Sequence, residues 1–275
     1  MNKSIVIFFI LLSFFACQKK KESQSHVVNL KCEHLNNPLG IDATNPRFSW
    51  QMESEENGTN QNAYQIIIGT DEHFLAEGNI WNSGKINSDA NLVAYGGPAL
   101  QPFTKYFWGV QLWDNHGSYA VSEVSTFETG LMKMSNWKGS WITDTRDVDL
   151  KPAPYFRKEF QTNKKVKSAK AYVVAAGLFE LSINGHKIGD HKMDPTYTRF
   201  DRRNLYVTHD VTQALTEGKN AIGVLLGNGW YNHQSTAVWY FHEAPWRARP
   251  KFCMDLRIEY QNGSKIGRAS CRERV

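Results

Sequence analysis

The side chains best suited to chemistry fall in one stretch, Gly227-Asn-Gly-Trp-Tyr-Asn-His233, followed by Trp239-Tyr-Phe-His242 and Trp246. Flat aromatic faces pack on the C–H patches of a saccharide, and amides take its hydroxyls. Gly227 and Gly229 allow unusual backbone angles and close approach. Asn228, Trp230, Tyr231, Trp239 and Trp246 are therefore the candidates, and two readings of them stay open. They form either a wall that faces a sugar or a patch that packs against another domain. Asp190, Asp194 and Asp201 would tempt one as a catalytic carboxylate pair. Their places read as turns, where carboxylates cap and make local hydrogen bonds. No CxxC or HExxH occurs, and the nine His are scattered without ligand spacing, so no metal and no cofactor is assigned.

The N-terminus bears on where such a surface works. Met1-Asn2-Lys3 precedes an apolar run from Ile5 to Phe15, broken only by Ser13. One positive charge before a short apolar core is the pattern of a secretory signal over residues 1–16. The run falls short of the ~20 apolar residues that span a bilayer. It ends at Ala16-Cys17, which resembles a bacterial lipoprotein processing site. That resemblance implies lipidation at Cys17, a tether over 17–26, a membrane partner through the lipid, and an outer-membrane location on either the periplasmic or the cell-surface side. An ordinary signal with an incidental Cys17 is the other reading.

The C-terminus is of a different kind. Ile266-Gly-Arg-Ala-Ser-Cys-Arg-Glu-Arg-Val275 has neither strand alternation nor a helical stripe and reads as a translated sequencing adapter. Residues 266–275 are set aside from the reading of the fold, the second domain being closed at Lys265, with the expectation that the natural chain continues beyond it. The formal charge of +5 then drops to about +2, because Lys3 leaves with the signal and the tail carries a net +2. That balance excludes nucleic acid as a partner on charge grounds. Of four cysteines, only Cys32 and Cys253 remain in the body, far apart in sequence, and they make no disulfide framework.

The elements that would carry the candidate stretch are strands. The composition is aromatic with Asn-Gly punctuation, and no long run keeps a 3.6-residue period. A first domain is placed at 27–131. Arg47–Gln51, Ala63–Gly69, Tyr106–Trp113 and Ser122–Thr129 read as strands, with Tyr106, Trp108, Val110 and Leu112 on one face. About seven short strands predict a fibronectin type III or immunoglobulin-like sandwich, with the strand Trp and Tyr as core. A second domain is placed at 137–265, after a junction holding Trp137 and Trp141. Its strands include Ser168–Gly177, Gly218–Gly227 and Lys251–Tyr260, with hairpin turns at Asn184-Gly185 and Asn262-Gly263. Asp210 is placed to cap a short helical turn at Val211–Leu215. This pattern predicts an all-β chain whose second domain is a jelly-roll-like β-sandwich.

The second domain carries a family resemblance in Ala175-Ala-Gly-Leu-Phe-Glu-Leu-Ser-Ile-Asn-Gly-His-Lys-Ile-Gly189, Asp194-Pro-Thr-Tyr-Thr-Arg-Phe-Asp201, Tyr206-Val-Thr-His-Asp-Val-Thr212 and Leu226-Gly-Asn-Gly-Trp-Tyr231. Their order resembles the N-terminal β-domain of bacterial α-L-rhamnosidases, glycoside hydrolase family 78. Asn36-Asn-Pro-Leu-Gly-Ile-Asp42 with Pro46-Arg-Phe-Ser-Trp50 is similar to the fibronectin-like domain that opens many of them. The resemblance implies rhamnose-containing glycans as partners. It also implies hydrolysis with inversion by acidic residues of a later α/α-barrel, which has no counterpart here, so no catalytic residue is carried over. The fragment alone is expected to be inactive. Some relatives bind rhamnose with calcium on such a domain; no ligand set for calcium is matched in this sequence, and oxygen ligands leave weak traces. A non-catalytic, carbohydrate-binding surface lipoprotein is the rival reading.

Overall fold

The computed structural model describes residues 25–73, 79–236 and 239–269. The leader, Cys17 with the tether up to residue 24, and residues 270–275 of the tail lie outside the described residues.

The first domain builds nine strands: β1 Ser25–Cys32, β2 Arg47–Ser54, β3 Gln61–Gly69, β4 Trp81–Asn82, β5 Ile86–Asn87, β6 Leu92–Ala94, β7 Lys105–Asp114, β8 Tyr119–Val121 and β9 Ser125–Glu128. One sheet runs β1-β2-β6, and the facing sheet runs β4-β3-β7-β8, with β5 on β3 and β9 on β7. Alternation drives the closure, since successive side chains point to opposite faces and the apolar set must find a second sheet. Trp50, Tyr64, Tyr106 and Trp108 are all at most 6 % exposed, as expected of core. Trp108 meets Phe48 at 4.6 Å, and Tyr106 stacks on Phe127 at 5.0 Å. Strand pairing begins inside the span expected as a tether, 17–26: Ser25 and His26 pair with Ser54 and Glu53. The long β2 offers backbone partners there, whatever the polarity of the residues that take them.

The second domain adds β10 Tyr155–Thr162, β11 Val166–Ala176, β12 Leu178–Ile183, β13 His186–Lys187, β14 Tyr206–Asp210, β15 Gly218–Gly227, β16 Lys251–Tyr260 and β17 Lys265–Ala269. Sheets β10-β15-β12-β13 and β14-β11-β16-β17 face each other over a core of Ala171, Val173, Phe179, Leu181, Val224 and Leu256. Asn184 and Gly185 both take positive φ (51° and 85°) in the β12–β13 turn, as a type I′ hairpin requires. The expected turn after β14 is 3₁₀, Thr212–Ala214, and Asp210 Oδ1 accepts from the Thr212 N–H at 2.9 Å.

The tail is a correction. Lys265–Ala269 forms β17, paired with β16 from Glu259 to Asp255. An edge strand offers unpaired N–H and C=O groups, and a hairpin turn at Asn262-Gly263 returns the chain beside them. Backbone pairing of that kind needs no side-chain alternation, so its absence was a poor guide.

The two sandwiches meet through hydrogen-bonded contacts. The Tyr206 hydroxyl donates to Gly40 O at 3.2 Å and accepts the Leu131 N–H at 3.3 Å. Asp42 Oδ1 accepts the Met132 N–H at 2.7 Å. Burial and the nearby Asp42 carboxylate push the Tyr206 phenol far above its ordinary value, so the hydroxyl stays protonated. Phe103 of the first domain lies edge-on to Tyr172 at 5.3 Å, with the Arg257 guanidinium 3.2 Å from its ring centre. Lys170 bridges Glu128 at 3.2 Å and Asp210 at 2.8 Å. Burial pulls Lys170 down, but its hydrogen bond to Asp210 and the Glu128 charge outweigh that and leave it raised. Asp255, 3 % exposed, accepts the Lys138 and Gly139 N–H groups at 3.0 and 2.8 Å and ties the junction to β16.

Candidate functional site

The candidate stretch is the return from β15 to β16. Its start is crowded: a Cβ on Gly177 (φ +109°) would lie 2.4 Å from Gly227 O, and one on Gly229 (φ +48°) would lie 3.1 Å from Leu178. Only glycine fits such a crossing. The loop then lies against residues 144–152 of the junction, held by side chains that bind backbone. Asn228 Nδ2 donates to Lys151 O at 3.0 Å, and Asn232 Nδ2 donates to Val148 O at 2.9 Å. Gln234 Nε2 reaches Val148 O and Leu150 O, both at 3.2 Å.

Arg249, its side chain 6 % exposed, closes the loop. Its Nε and Nη2 grip both Asp144 oxygens at 2.9 and 2.8 Å, and Nη1 and Nη2 donate to Leu150 O and Pro152 O at 2.6 and 3.0 Å. The bidentate guanidinium holds the Asp144 carboxyl below its usual range, against the opposing pull of burial. Arg247 adds an ion pair to Asp149. Nothing in the sequence marks Asp144 and Arg249 as partners, because their separation follows no local period.

The structure divides the five sequence candidates. Tyr231 is 4 % exposed and packs edge-on to Phe200 at 5.3 Å, in a small cluster with Ala176 that Trp246 and Ala248 cover. Trp246 is partly buried and turns its Nε1 toward Trp230 O at 3.4 Å. Asn228 spends its amide inward, its Oδ1 taking Asn232 Nδ2 at 3.2 Å. Trp230 and Trp239 face outward, 49 % and 77 % exposed. Trp230 lies nearly parallel to Phe241 at 6.1 Å and close to His233 at 5.7 Å. Tyr197 joins this wall at 5.6 Å from Phe241, and Tyr240 stands beside it, 63 % exposed, at φ +51°. Tyr197 was missed; its signal was an aromatic in a turn-rich segment, Asp194–Asp201. The wall is an exposed aromatic surface edged by the Tyr197 and Tyr240 phenols and by Glu243, the make-up of an interaction surface.

The three turn carboxylates do not form one acid–base pair across a cleft. Asp190 and Asp194 flank one imidazole, 3.9 and 3.2 Å from the two ring nitrogens of His191, with Asp190 fully exposed, and Asp201 stands apart from them, accepting from Arg199 at 2.9 Å. Among the described residues, no group of three or more His, Cys, Asp or Glu is arranged to hold a metal ion. Cys32 and Cys253 are buried and are not joined in a disulfide.

Comparison with known proteins adds the family. Residues 27–133 match the Rha78A-like, N-terminal immunoglobulin domain, and residues 164–269 match the Alpha-L-rhamnosidase N-terminal domain. An α-L-rhamnosidase of Formosa agariphila is 34 % identical over 96 % of this chain, which covers 31 % of that protein. One from Alteromonas sp. (strain LOR) is 34 % identical over 83 % of the chain and is covered over 26 % of its length. The solved α-L-rhamnosidase from Dictyoglumus thermophilum superposes with a TM-score of 0.80 at 38 % identity, over 89 % of this chain and 29 % of that one. The chain thus spans about a third or less of the relatives it matches. It carries, in order, the immunoglobulin-like and N-terminal β-domains of the α-L-rhamnosidases, and by these it belongs to that family.

Proposed function

We propose that the whole protein is an exported α-L-rhamnosidase acting on rhamnose-containing glycans, and that the described residues are its non-catalytic N-terminal part. One observation carries this: two family domains in series align with α-L-rhamnosidases over 96 % of the chain while covering 31 % of the relative. The carboxylates of the second domain support the non-catalytic role. Asp144, Asp210 and Asp255 are each committed to a cation or to backbone N–H groups. The test is turnover of an aryl α-L-rhamnoside by this chain and by the protein extended through its genomic locus. Turnover by the 275-residue chain alone, or none by the extended protein, overturns the proposal.

In this reading the wall of Trp230 and Trp239 packs against the remainder of the protein. Support comes from the inward commitment of Asn228 and Tyr231, which takes two of the five sequence candidates out of reach of a ligand. Hydrogen exchange at 230–243 should slow in the extended protein; equal exchange in both forms argues against packing. Lipidation at Cys17 is part of the same proposal and rests on the apolar run that ends at Ala16-Cys17. Mass spectrometry of the mature N-terminus decides it, an unmodified Cys17 being the adverse result.

A further inference from the structure

Asn-Gly pairs occur at Asn57, Asn184, Asn228 and Asn262. In each, the glycine has no Cβ to keep its main-chain nitrogen away from the asparagine Cγ. The chemistry that this permits is the same at all four positions. The structure separates them by what holds the side-chain amide and the glycine nitrogen.

Three of the pairs are held. Asn184 Nδ2 donates to Ala214 O and Asn220 Oδ1, both at 2.9 Å, and its Oδ1 accepts the Ala221 N–H at 2.9 Å. Asn228 Nδ2 donates to Lys151 O at 3.0 Å, and its Oδ1 accepts from Asn232 at 3.2 Å. Asn262 Oδ1 accepts the Ser264 N–H and hydroxyl at 3.2 and 2.7 Å, and the Gly263 N–H is spent on Tyr260 O at 2.9 Å. Asn57 differs. It is exposed in the turn between β2 and β3, and a Cβ at Gly58 would meet nothing within 4 Å. Among the described residues, neither the Asn57 amide nor the Gly58 N–H has a hydrogen-bond partner. The turn is pinned on both sides of this link. Thr59 Oγ1 donates to Glu56 O at 2.7 Å, and Gly58 O accepts from Asn60 and Asn115 Nδ2 at 2.9 and 3.1 Å. The Asn57 side chain and the peptide that follows it are what is left to move.

We infer that Asn57 is a site of spontaneous modification, by cyclisation onto Gly58 with loss of the side-chain amide. Gly58 N attacks Asn57 Cγ and gives up its proton. The Cγ–Nδ2 bond breaks, and Nδ2 leaves with that proton as ammonia, so a succinimide remains. Solvent water opens the ring at Cγ to give aspartate, or at the main-chain carbonyl carbon to give isoaspartate. Either product sets a carboxylate beside Glu55 and Glu56. Isoaspartate also lengthens the main chain by a methylene, next to the carbonyl that ties this turn to Asn115. The inference is independent of rhamnoside turnover, since water is the sole co-reactant.

The experiment holds the 275-residue chain at pH 8, folded and, separately, unfolded in urea. Samples are digested at intervals and read by mass spectrometry with fragmentation that separates aspartate from isoaspartate. In the folded chain, Asn57 should convert at least about tenfold faster than Asn184, Asn228 or Asn262, since freeing each of those amides first costs its hydrogen bonds. In urea the four rates should draw together. Asn57→Gln should abolish the fast conversion, because attack one carbon further out needs a larger ring, and an exposed turn position tolerates the change. Conversion at Asn57 no faster than at the other three, aspartate formed without isoaspartate, or the same ranking in urea would each overturn the inference.

Discussion

Replacement of Gly130 by Ala tests how tightly the two sandwiches are coupled. A Cβ at this position would lie 1.9 Å from the Tyr206 hydroxyl oxygen and 2.7 Å from Asp42 Oδ1. Gly130 is not among the residues at positive φ, so an Ala backbone is unstrained and the clash alone decides. The hydroxyl must leave, and with it go its bonds to Gly40 O and Leu131 N. Two part-buried hydrogen bonds are worth about 1 kcal/mol each. Local overpacking adds about 1–3 kcal/mol, while a stiffer unfolded chain returns ~0.5 kcal/mol. Gly130→Ala should therefore destabilise by about 3 kcal/mol. Tyr206→Phe loses the same two bonds without the clash and should cost about 2 kcal/mol. The double variant separates a specific contact from general damage. Phe lacks the oxygen at 1.9 Å, while Asp42 Oδ1 at 2.7 Å must still give, so the pair together should cost about 2 kcal/mol less than the sum of the two single changes, the two lost hydrogen bonds being counted once. Urea unfolding followed by intrinsic tryptophan fluorescence, to which Trp137 at 5.8 Å from Tyr206 contributes, gives these costs. Costs that simply add across the cycle would refute the assignment of Tyr206 as the coupling group.

Arg249→Ala leaves Asp144 part-buried without its partner and should cost about 3–5 kcal/mol, with faster hydrogen exchange across 228–250 as the loop loses its brace. The same pair sets an acid limit. The Asp144 carboxyl is depressed by Arg249, so its contribution is complete above the ordinary carboxylate pKa and is lost as pH falls through the lower folded value. Urea midpoints from pH 5 downward should fall, and fall less in Arg249→Ala than in the parent. Burial pushes the Cys32 thiol up to about 12, so a thiol reagent at pH 8 should leave Cys32 unmodified until denaturant is added; prompt labelling at Cys32 in the native protein would count against its place in the core.

The sandwich architecture was legible because it rests on period-two alternation. Tyr106, Trp108, Val110 and Leu112 share a face in the sequence and are all buried in β7. The hairpin at Asn184-Gly185 was legible because two successive positive φ angles exclude most other residues. The Trp wall was only half legible. Gly-Asn-Gly-Trp-Tyr announces a sharp turn with rings on it, yet says nothing of which ring turns in. That choice belongs to Phe200, which supplies an edge contact to Tyr231 at 5.3 Å from another loop. Asn228 reads as a free amide until residues 144–152 pass beside it. The strand at Lys265–Ala269 was illegible for the opposite reason: an edge recruits backbone, and backbone is the same in every residue.

These differences bear on what keeps the Trp wall in place. Exposed aromatics on a long loop would ordinarily collapse onto the nearest apolar surface, since burial of each is worth about 1.5–3 kcal/mol. Here the loop is held from beneath. Asn228, Asn232, Gln234 and Arg249 all bind main-chain carbonyls of residues 148–152, so the brace depends on backbone position and tolerates side-chain change in the junction. Two junction side chains also take part: Asp144, which Arg249 grips with two bonds, and Asp149, which pairs with Arg247. Tyr231 and Trp246 then fill the space under the wall, which denies Trp230 a place to sink. The expected consequence is an ordering of effects. Arg249→Ala should disturb the wall more than Trp239→Ala does, although Trp239 is an exposed ring of the same loop and Arg249 is buried beneath it. A Trp239→Ala variant, losing a ring that is 77 % exposed, should stay within about 0.5 kcal/mol of the parent. The reverse order in urea midpoints would mean that the rings themselves hold the loop, and that the brace is incidental.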